Sequence, residues 1–181
     1  MKFTPTALPD VLRVEPEVFG DARGYFMETG RASEFAAHAI PPFVQENQSG
    51  SAEGVLRGLH YQLVRPQGKL VRTLVGEVFD VAVDLRRGSP TFGRWVGELL
   101  SAANRRMLWV PPGFAHGFLV TSGFAEISYR CTDYYAPGHE RALRWDDPAL
   151  AIAWPLPDGR PPTLSAKDAA GVALEHAETF P

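Results

Sequence analysis

Seventeen glycines and 16 prolines cut this 181-residue chain into pieces too short for long helices. Between them run segments rich in Val, Leu, Ile, Phe and Tyr. VLRVEP, GYFMET, PFVQENQS, GVLRGLHYQ, KLVRTLVG, EVFDVAVDLR, RWVGELLS, RRMLWVP, HGFLVTS and AEISYRCTDYY all read as strands. EVFDVAVDLR is the clearest. Its alternation sets Phe79, Val81, Val83 and Leu85 on one face, and Asp80 and Asp84 on the other with Val78 and Ala82. RASEFAAHA is the mid-chain helix candidate, PLPDGRPP reads as a loop, and SAKDAA as one helical turn. About ten strands with little helix predict an all-β jelly roll or related β-roll, with a few short peripheral helices. No repeat or shift of composition divides the chain. One domain over 1–181 is expected, with a C-terminal loop and short helical segment from about 155.

Composition narrows the partners. A formal charge of −3 argues against nucleic acid, whose phosphates are met by a basic face, but leaves room for a small anion held by a few local cations. Cys131 is the only cysteine, so neither an intrachain disulfide nor a multi-cysteine metal site is available. MKFTPTALPDVL lacks a sustained apolar stretch, and no run reaches the length of a membrane span. A cytoplasmic protein without membrane contact is expected.

The ionisable residues at strand ends carry the chemistry. His60, in GVLRGLHYQ, has Arg57 before it and Lys69 after it. A histidine is suited to proton transfer near neutral pH, and nearby cations suit a phosphate or a developing oxyanion. His116 lies in PPGFAHGF, where Pro111, Pro112 and Gly113 fix the turn. That P-x-G-x-x-H string is typical of metal-binding β-rolls, but the partner motif reads His60-Tyr61-Gln62 rather than His-x-His, so no metal is expected. Tyr129 alternates with Ile127 and Cys131 on an inward face, where a phenol needs a hydrogen-bond partner and can donate a proton. Tyr134 and Tyr135 close that strand. Each residue also has a plainer explanation: a strand histidine as a hydrogen-bonded core residue, a tyrosine as filling, and Ser165-x-x-Asp168 as a helix-capping pair. One conflict stands out. Arg57 and His60 differ in parity and so should point to opposite faces, unless Gly58 hosts a bulge that turns both toward one pocket.

Taken together, VFGDARGYFMET, FVQENQSGS, GVLRGLHYQ, QGKLVR, VGEVFDVAVDLRRGSPTFGRW, LWVPPGFAHGF, YRCTDYYAPGHERALRWDDP and LSAKDAA resemble the dTDP-4-dehydrorhamnose 3,5-epimerase family over nearly the whole chain. The resemblance implies a cupin-like jelly roll, or double-stranded β-helix, that inverts C3, C5 or both in a dTDP-4-keto-6-deoxyhexose, without a cofactor, as a homodimer. It implies His60 as the proton-abstracting base partnered by Asp168, Tyr129 as the acid on the opposite face, and Lys69 at the enolate oxygen. It puts nucleotide contacts on Arg23, Glu28, Gln45, Asn47, Arg57, His116, Glu140 and Lys167, with Tyr135 stacked on the thymine. Two departures bear on the sugar pocket: Gln48 and Gly50 stand where the family pattern usually carries His and a large residue such as Arg. The LVRPQGK loop is also short. The alternatives are a 3,4-ketoisomerase or mono-epimerase on the same roll, a metal-dependent oxygenase, and a non-catalytic sugar-nucleotide-binding module.

Overall fold

The computed structural model describes residues 1–156 and 159–181. In chain order its strands are β1 (Lys2–Pro5), β2 (Leu12–Glu15), β3 (Val18–Asp21), β4 (Gly24–Met27), β5 (Gln45–Ala52), β6 (Leu56–Gln62) and β7 (Lys69–Val75). There follow β8 (Glu77–Asp84), β9 (Trp95–Ser101), β10 (Met107–Val110), β11 (Phe114–Val120), β12 (Phe124–Cys131) and β13 (Glu140–Ala142). The α-helices are α1 (Ala32–Ala37) and α2 (Ala166–Ala169). One sheet runs β1-β2-β10-β7-β12-β5, a second runs β13-β6-β11-β8-β9, and β3-β4 form a separate hairpin. The chain crosses between the two large sheets at Gly76, a single residue between β7 and β8 with φ +72°. A Cβ there would lie 2.0 Å from the Phe124 carbonyl oxygen, so glycine is required by both torsion and space. The result is a cupin-like β-roll.

Alternation sends one face of each large sheet into a shared layer, and the outer faces are covered in part, that of β5 lying exposed. Val71, Ile127 and Leu108 from the larger sheet meet Val78, Ala82, Phe118 and Val120 from the second in a layer between them. Leucine, valine or isoleucine side chains buried in this way stabilise by roughly 1.5–3 kcal/mol each. The far face of the second sheet, including Val81, Val83 and Leu85, is covered by the C-terminal segment through Leu150, Trp154 and Ala177. The far face of the larger sheet packs Val14, Leu70, Met107 and Trp109 against Phe35 of α1 and Ile40. The expected face of Phe79, Val81, Val83 and Leu85 is therefore real. Its opposite face is buried as well.

Each of the ten expected strands overlaps one observed here, though the PFVQENQS strand starts only at Gln45 and runs on to Ala52, and β11 and β12 begin two residues and one residue before HGFLVTS and AEISYRCTDYY. β1, β3 and β13 were not expected; all are three or four residues long and lie at sheet edges or in the hairpin. RASEFAAHA and SAKDAA supply α1 and α2. Within PLPDGRPP, Pro157 and Asp158 lie outside the described residues. No helix among the described residues is long and apolar enough to cross a membrane.

Asp84, on the inner face of β8, is fully buried and accepts from Arg86, Ser89 and Thr91. Burial pushes its carboxyl up, but these donors outweigh that and hold it at about 2. A depressed carboxyl stabilises the fold above its unfolded value of about 3.9, and that stabilisation, about 2 kcal/mol, fades as pH falls toward the folded value. Asp84→Asn should therefore lower the melting temperature at pH 6 and much less near pH 2. A difference that is constant over that range would refute the assignment.

Candidate active site

The inter-sheet layer is apolar at one end and polar at the other. On β7 the inward positions pass from Val71 to Lys69, and on β12 from Ile127 to Tyr129, so the core gives way to ionisable groups along the same ladders. A cavity of about 340 Å³ opens there, within the range of small-molecule sites. One wall is the larger sheet, with Gln45, Asn47 and Ser49 of β5, Lys69 of β7 and Tyr129 of β12. The other is the second sheet, with Arg57 and His60 of β6, His116 and Phe118 of β11, and Glu140 of β13. Ser165, Lys167 and Asp168 close one side from α2 and its N-cap. A larger cavity, about 560 Å³, lies beside α1, but Phe35, Ile40 and Phe43 make its lining mainly apolar and none of the expected catalytic residues reaches it.

The parity conflict at Arg57 is resolved by a bulge. His116 pairs with His60 and Phe118 with Arg57, so β6 carries one more residue than β11 between the same two rungs. Gly58 sits in that irregularity at φ +131°, and Arg57 and His60 both line the cavity. A Cβ on Gly58 would come within 2.5 Å of Gly117 Cα and 2.8 Å of the His116 carbonyl oxygen. The Gly58 N–H donates to Asp168 Oδ1 at 3.1 Å, tying the bulge to α2.

His60 Nε2 lies 2.7 Å from Asp168 Oδ1. That oxygen lies off the ring's N–H direction, since no well-angled hydrogen bond to Nε2 forms. The short approach still sets the carboxylate behind the imidazole, where it can orient the ring. Asp168 is itself fixed: Ser165 Oγ donates to Oδ2 at 2.5 Å and also caps α2 by accepting from the Asp168 N–H at 3.2 Å. Burial pushes the Asp168 carboxyl up, but His60, Ser165 and the Gly58 N–H outweigh it and keep it well below the usual carboxylate range. The capping reading and the functional reading of Ser165-x-x-Asp168 both hold. One serine does both tasks.

Across the cavity, burial pushes the Tyr129 phenol up, with a smaller contribution from Cys131 opposed by Arg57, so it stays protonated. Burial pushes the Lys69 ammonium down, partly offset by Cys131, Glu140 and Asp80. At the mouth, Glu140 accepts from Lys167 Nζ at 2.9 Å and from Tyr135 Oη at 2.8 Å. The Tyr135 N–H donates to Gln45 Oε1 at 2.9 Å, and Gln45 donates to Asn47. Arg57 Nε donates to Ser51 Oγ at 3.0 Å. Eleven of the thirteen expected residues thus meet in one cavity: His60, Asp168, Tyr129, Lys69, Gln45, Asn47, Arg57, His116, Tyr135, Glu140 and Lys167.

Arg23 and Glu28 do not join them. Arg23 projects from the β3–β4 hairpin with 89% of its side chain exposed, paired to Asp21, and Glu28 pairs with Arg31. Tyr134 faces solvent over Arg65. Ser49, Gln67, Phe118 and Ser165 line the cavity without having been anticipated there. Alternation alone could have found Ser49, which shares the face of Gln45 and Asn47. Among the described residues no three His, Cys, Asp or Glu side chains gather as a metal-binding cluster.

A sequence model described as dTDP-4-dehydrorhamnose 3,5-epimerase matches residues 5–176. The chain belongs to the dTDP-4-dehydrorhamnose 3,5-epimerase family. It is 60% identical to a dTDP-4-dehydrorhamnose 3,5-epimerase of Pseudomonas aeruginosa, with both chains fully covered. It is 54% identical to that of Salmonella typhimurium, covering 95% of this chain and 94% of the other. Among solved structures it matches, with a TM-score of 0.93 and 49% identity, the dTDP-6-deoxy-D-glucose-3,5-epimerase of Legionella pneumophila in complex with dTDP-4-keto-L-rhamnose, over 98% of this chain and 94% of that one. Membership makes the chain an isomerase.

Within this epimerase family the two departures fall outside the cavity. Gln48 and Gly50 alternate with Asn47 and Ser49, so they lie on the outer face of β5. Gln48 donates to Glu126 at 3.3 Å and borders a separate hollow with Arg72 and Ser128. A Cβ on Gly50 would press on the Phe124 ring at 2.9 Å. The short LVRPQGK loop still delivers both Gln67 and Lys69 to the cavity.

Proposed function

We propose that the whole chain works as one catalytic β-roll that inverts C3 and C5 of a dTDP-linked 4-keto-6-deoxyhexose. The observation that carries this reading is the placement of His60 and Tyr129 on opposite walls of one cavity, with Lys69 beside the tyrosine. The hydrogens on C3 and C5 flank the ketone. His60 takes one of them, the C–H electron pair moves into the ring, and the carbonyl π pair moves onto oxygen as an enolate. Asp168 orients the imidazole and balances the charge it gains. Lys69 meets the negative oxygen. The Tyr129 O–H then protonates the same carbon from the other face, and exchange with water restores both groups. Inversion follows from the two walls. A binding module needs neither a base nor an acid so disposed.

At the mouth, Tyr135 supplies a ring for the thymine, and Arg57 and Lys167 supply charge for the diphosphate. The chemistry assigned here draws on no cofactor. We assign the cytoplasm as compartment, in keeping with a buried, free Cys131. The test is NMR in deuterated water with dTDP-4-keto-6-deoxyglucose. Label should enter both C3 and C5 as the L-configured product accumulates. Carbonyl migration without inversion would establish a ketoisomerase instead, and binding without exchange a non-catalytic module.

The reading extends to a homodimer. The β3–β4 hairpin leaves Phe19, Tyr25 and Phe26 exposed, Phe26 at 70%, and holds Arg23 away from its own cavity. A second copy would cover these rings and receive Arg23, and with it Glu28, at its own diphosphate site. Arg23→Ala and His60→Ala chains, each poorly active, should regain about a quarter of wild-type activity when mixed as heterodimers, since half of the dimers then hold one intact site. No recovery from a mixture that sediments as dimers would overturn the shared site.

A further inference from the structure

The second histidine of the cavity has a carboxylate behind it for which the mechanism above has no use. Asp80 is fully buried on β8, at an inward position between Val78 and Ala82. Both of its oxygens lie 2.9 Å from His116 Nε2. Among the described residues the carboxylate has no other hydrogen-bond partner. The register explains the contact: His116 pairs with Ala82 and Phe118 with Asp80, so Asp80 and His116 are diagonal neighbours on one face. His116 also pairs with His60 on its other side and lines the cavity, with 7% of its surface exposed.

A carboxylate sealed from water is costly unless it is paired, and a single donor satisfies it best when that donor carries charge. Asp80 therefore fixes Nε2 as the nitrogen that bears hydrogen toward it and leaves Nδ1 as the free ring nitrogen of His116. The same carboxylate attracts the Lys69 ammonium. Lys69 on one wall and His116 on the other flank the cavity, with a buried anion behind them.

We propose that Asp80 is a positioning residue, a buried counter-ion that keeps His116 aimed into the cavity as a second donor, with Lys69, for the oxygen on which negative charge develops. This rests on the epimerase reading. It adds a Lys–His pair around the enolate where that reading used a lysine alone, and it gives His116 a role at the sugar rather than at the diphosphate.

The test is Asp80→Asn in the full-length enzyme. We expect kcat, read as label entering C3 and C5, to fall about 100-fold, the scale of losing one oxyanion donor, with KM and the affinity for dTDP within about threefold of wild type. Asp80→Asn combined with His116→Gln should be no slower than His116→Gln alone, because the first residue acts through the second. Losses that multiply in the double variant, or a fall in dTDP affinity with kcat intact, would overturn the proposal. Should the Asp80 variant fail to fold, imidazole ¹⁵N spectra of the wild type bound to dTDP-6-deoxyglucose decide the matter, with His116 assigned through His116→Gln. Hydrogen on both ring nitrogens supports the proposal, and a bare Nε2 refutes it. Failure of the epimerase reading is distinguishable, since the wild type would then exchange no label at either carbon.

Discussion

His60→Ala is expected to slow deuterium entry at both C3 and C5 by about 1,000-fold or more, while dTDP binds nearly as before. A positioned acid or base contributes roughly 100- to 10,000-fold, and this change also leaves Asp168 buried without its imidazole. The two carbons should lose exchange together, because one imidazole on one wall serves both. Tyr129→Phe should behave differently. It keeps the base and Lys69, so label exchange without net inversion should outlast epimerisation. His60→Ala with near-normal exchange would remove the base assignment. Tyr129→Phe with normal inversion would remove the acid.

Gly58→Ala should be among the most damaging single methyl groups in the molecule, and the one that strikes the site directly. At φ +131° an L side chain is strained, and the added carbon would sit 2.5 Å from the Gly117 backbone rather than against a side chain that could swing away. Strain and overpacking of this kind cost about 1–3 kcal/mol each. The expected result is a loss of about 3 kcal/mol, or roughly 6–12 °C in Tm for a chain of this size. The functional loss should be larger still. The same peptide sets the parity of Arg57 and His60 and donates to Asp168. Gly138→Ala is the control: nothing lies within 4 Å of its would-be Cβ, and its φ is not positive. Equal melting temperatures for the two variants would mean that the bulge does not constrain the site.

Much of the site was legible because β structure has a short repeat. Alternation alone turned Tyr129 inward with Ile127 and Cys131, and sorted β8 into the Phe79 face and the Asp80 face. It also flagged its own failure: Arg57 and His60 could share a pocket only through an irregularity, and Gly58 was the residue able to host one. What alternation cannot deliver is register between distant strands. Alternation put Asp80 on the face opposite Phe79, but that this face looks inward, and which partner it meets there, depend on β8 and β11 meeting with Ala82 opposite His116, which nothing local encodes. The short edge strands β1, β3 and β13 escaped for a related reason. Three or four residues carry too little pattern, and their conformation is set by the neighbour they join. The family resemblance supplied the roles of Asp168, Lys69 and Tyr135, which spacing left open. Within a single chain Arg23, on the β3–β4 hairpin, and Glu28, just after it, do not reach the cavity, and no local pattern says which surface they serve.

Proton donor and proton acceptor hang from separate sheets that the chain joins at Gly76 and that meet across a layer of valine, leucine and isoleucine. The gap across which a stereocentre is turned over is therefore gauged by hydrocarbon packing a few residues away. Trimming Val71 or Ile127 would let the walls close and swelling them would wedge the walls apart, without altering any ionisable group. Stereochemical fidelity in this enzyme should drift with the bulk of its oily interior before its affinity for nucleotide does.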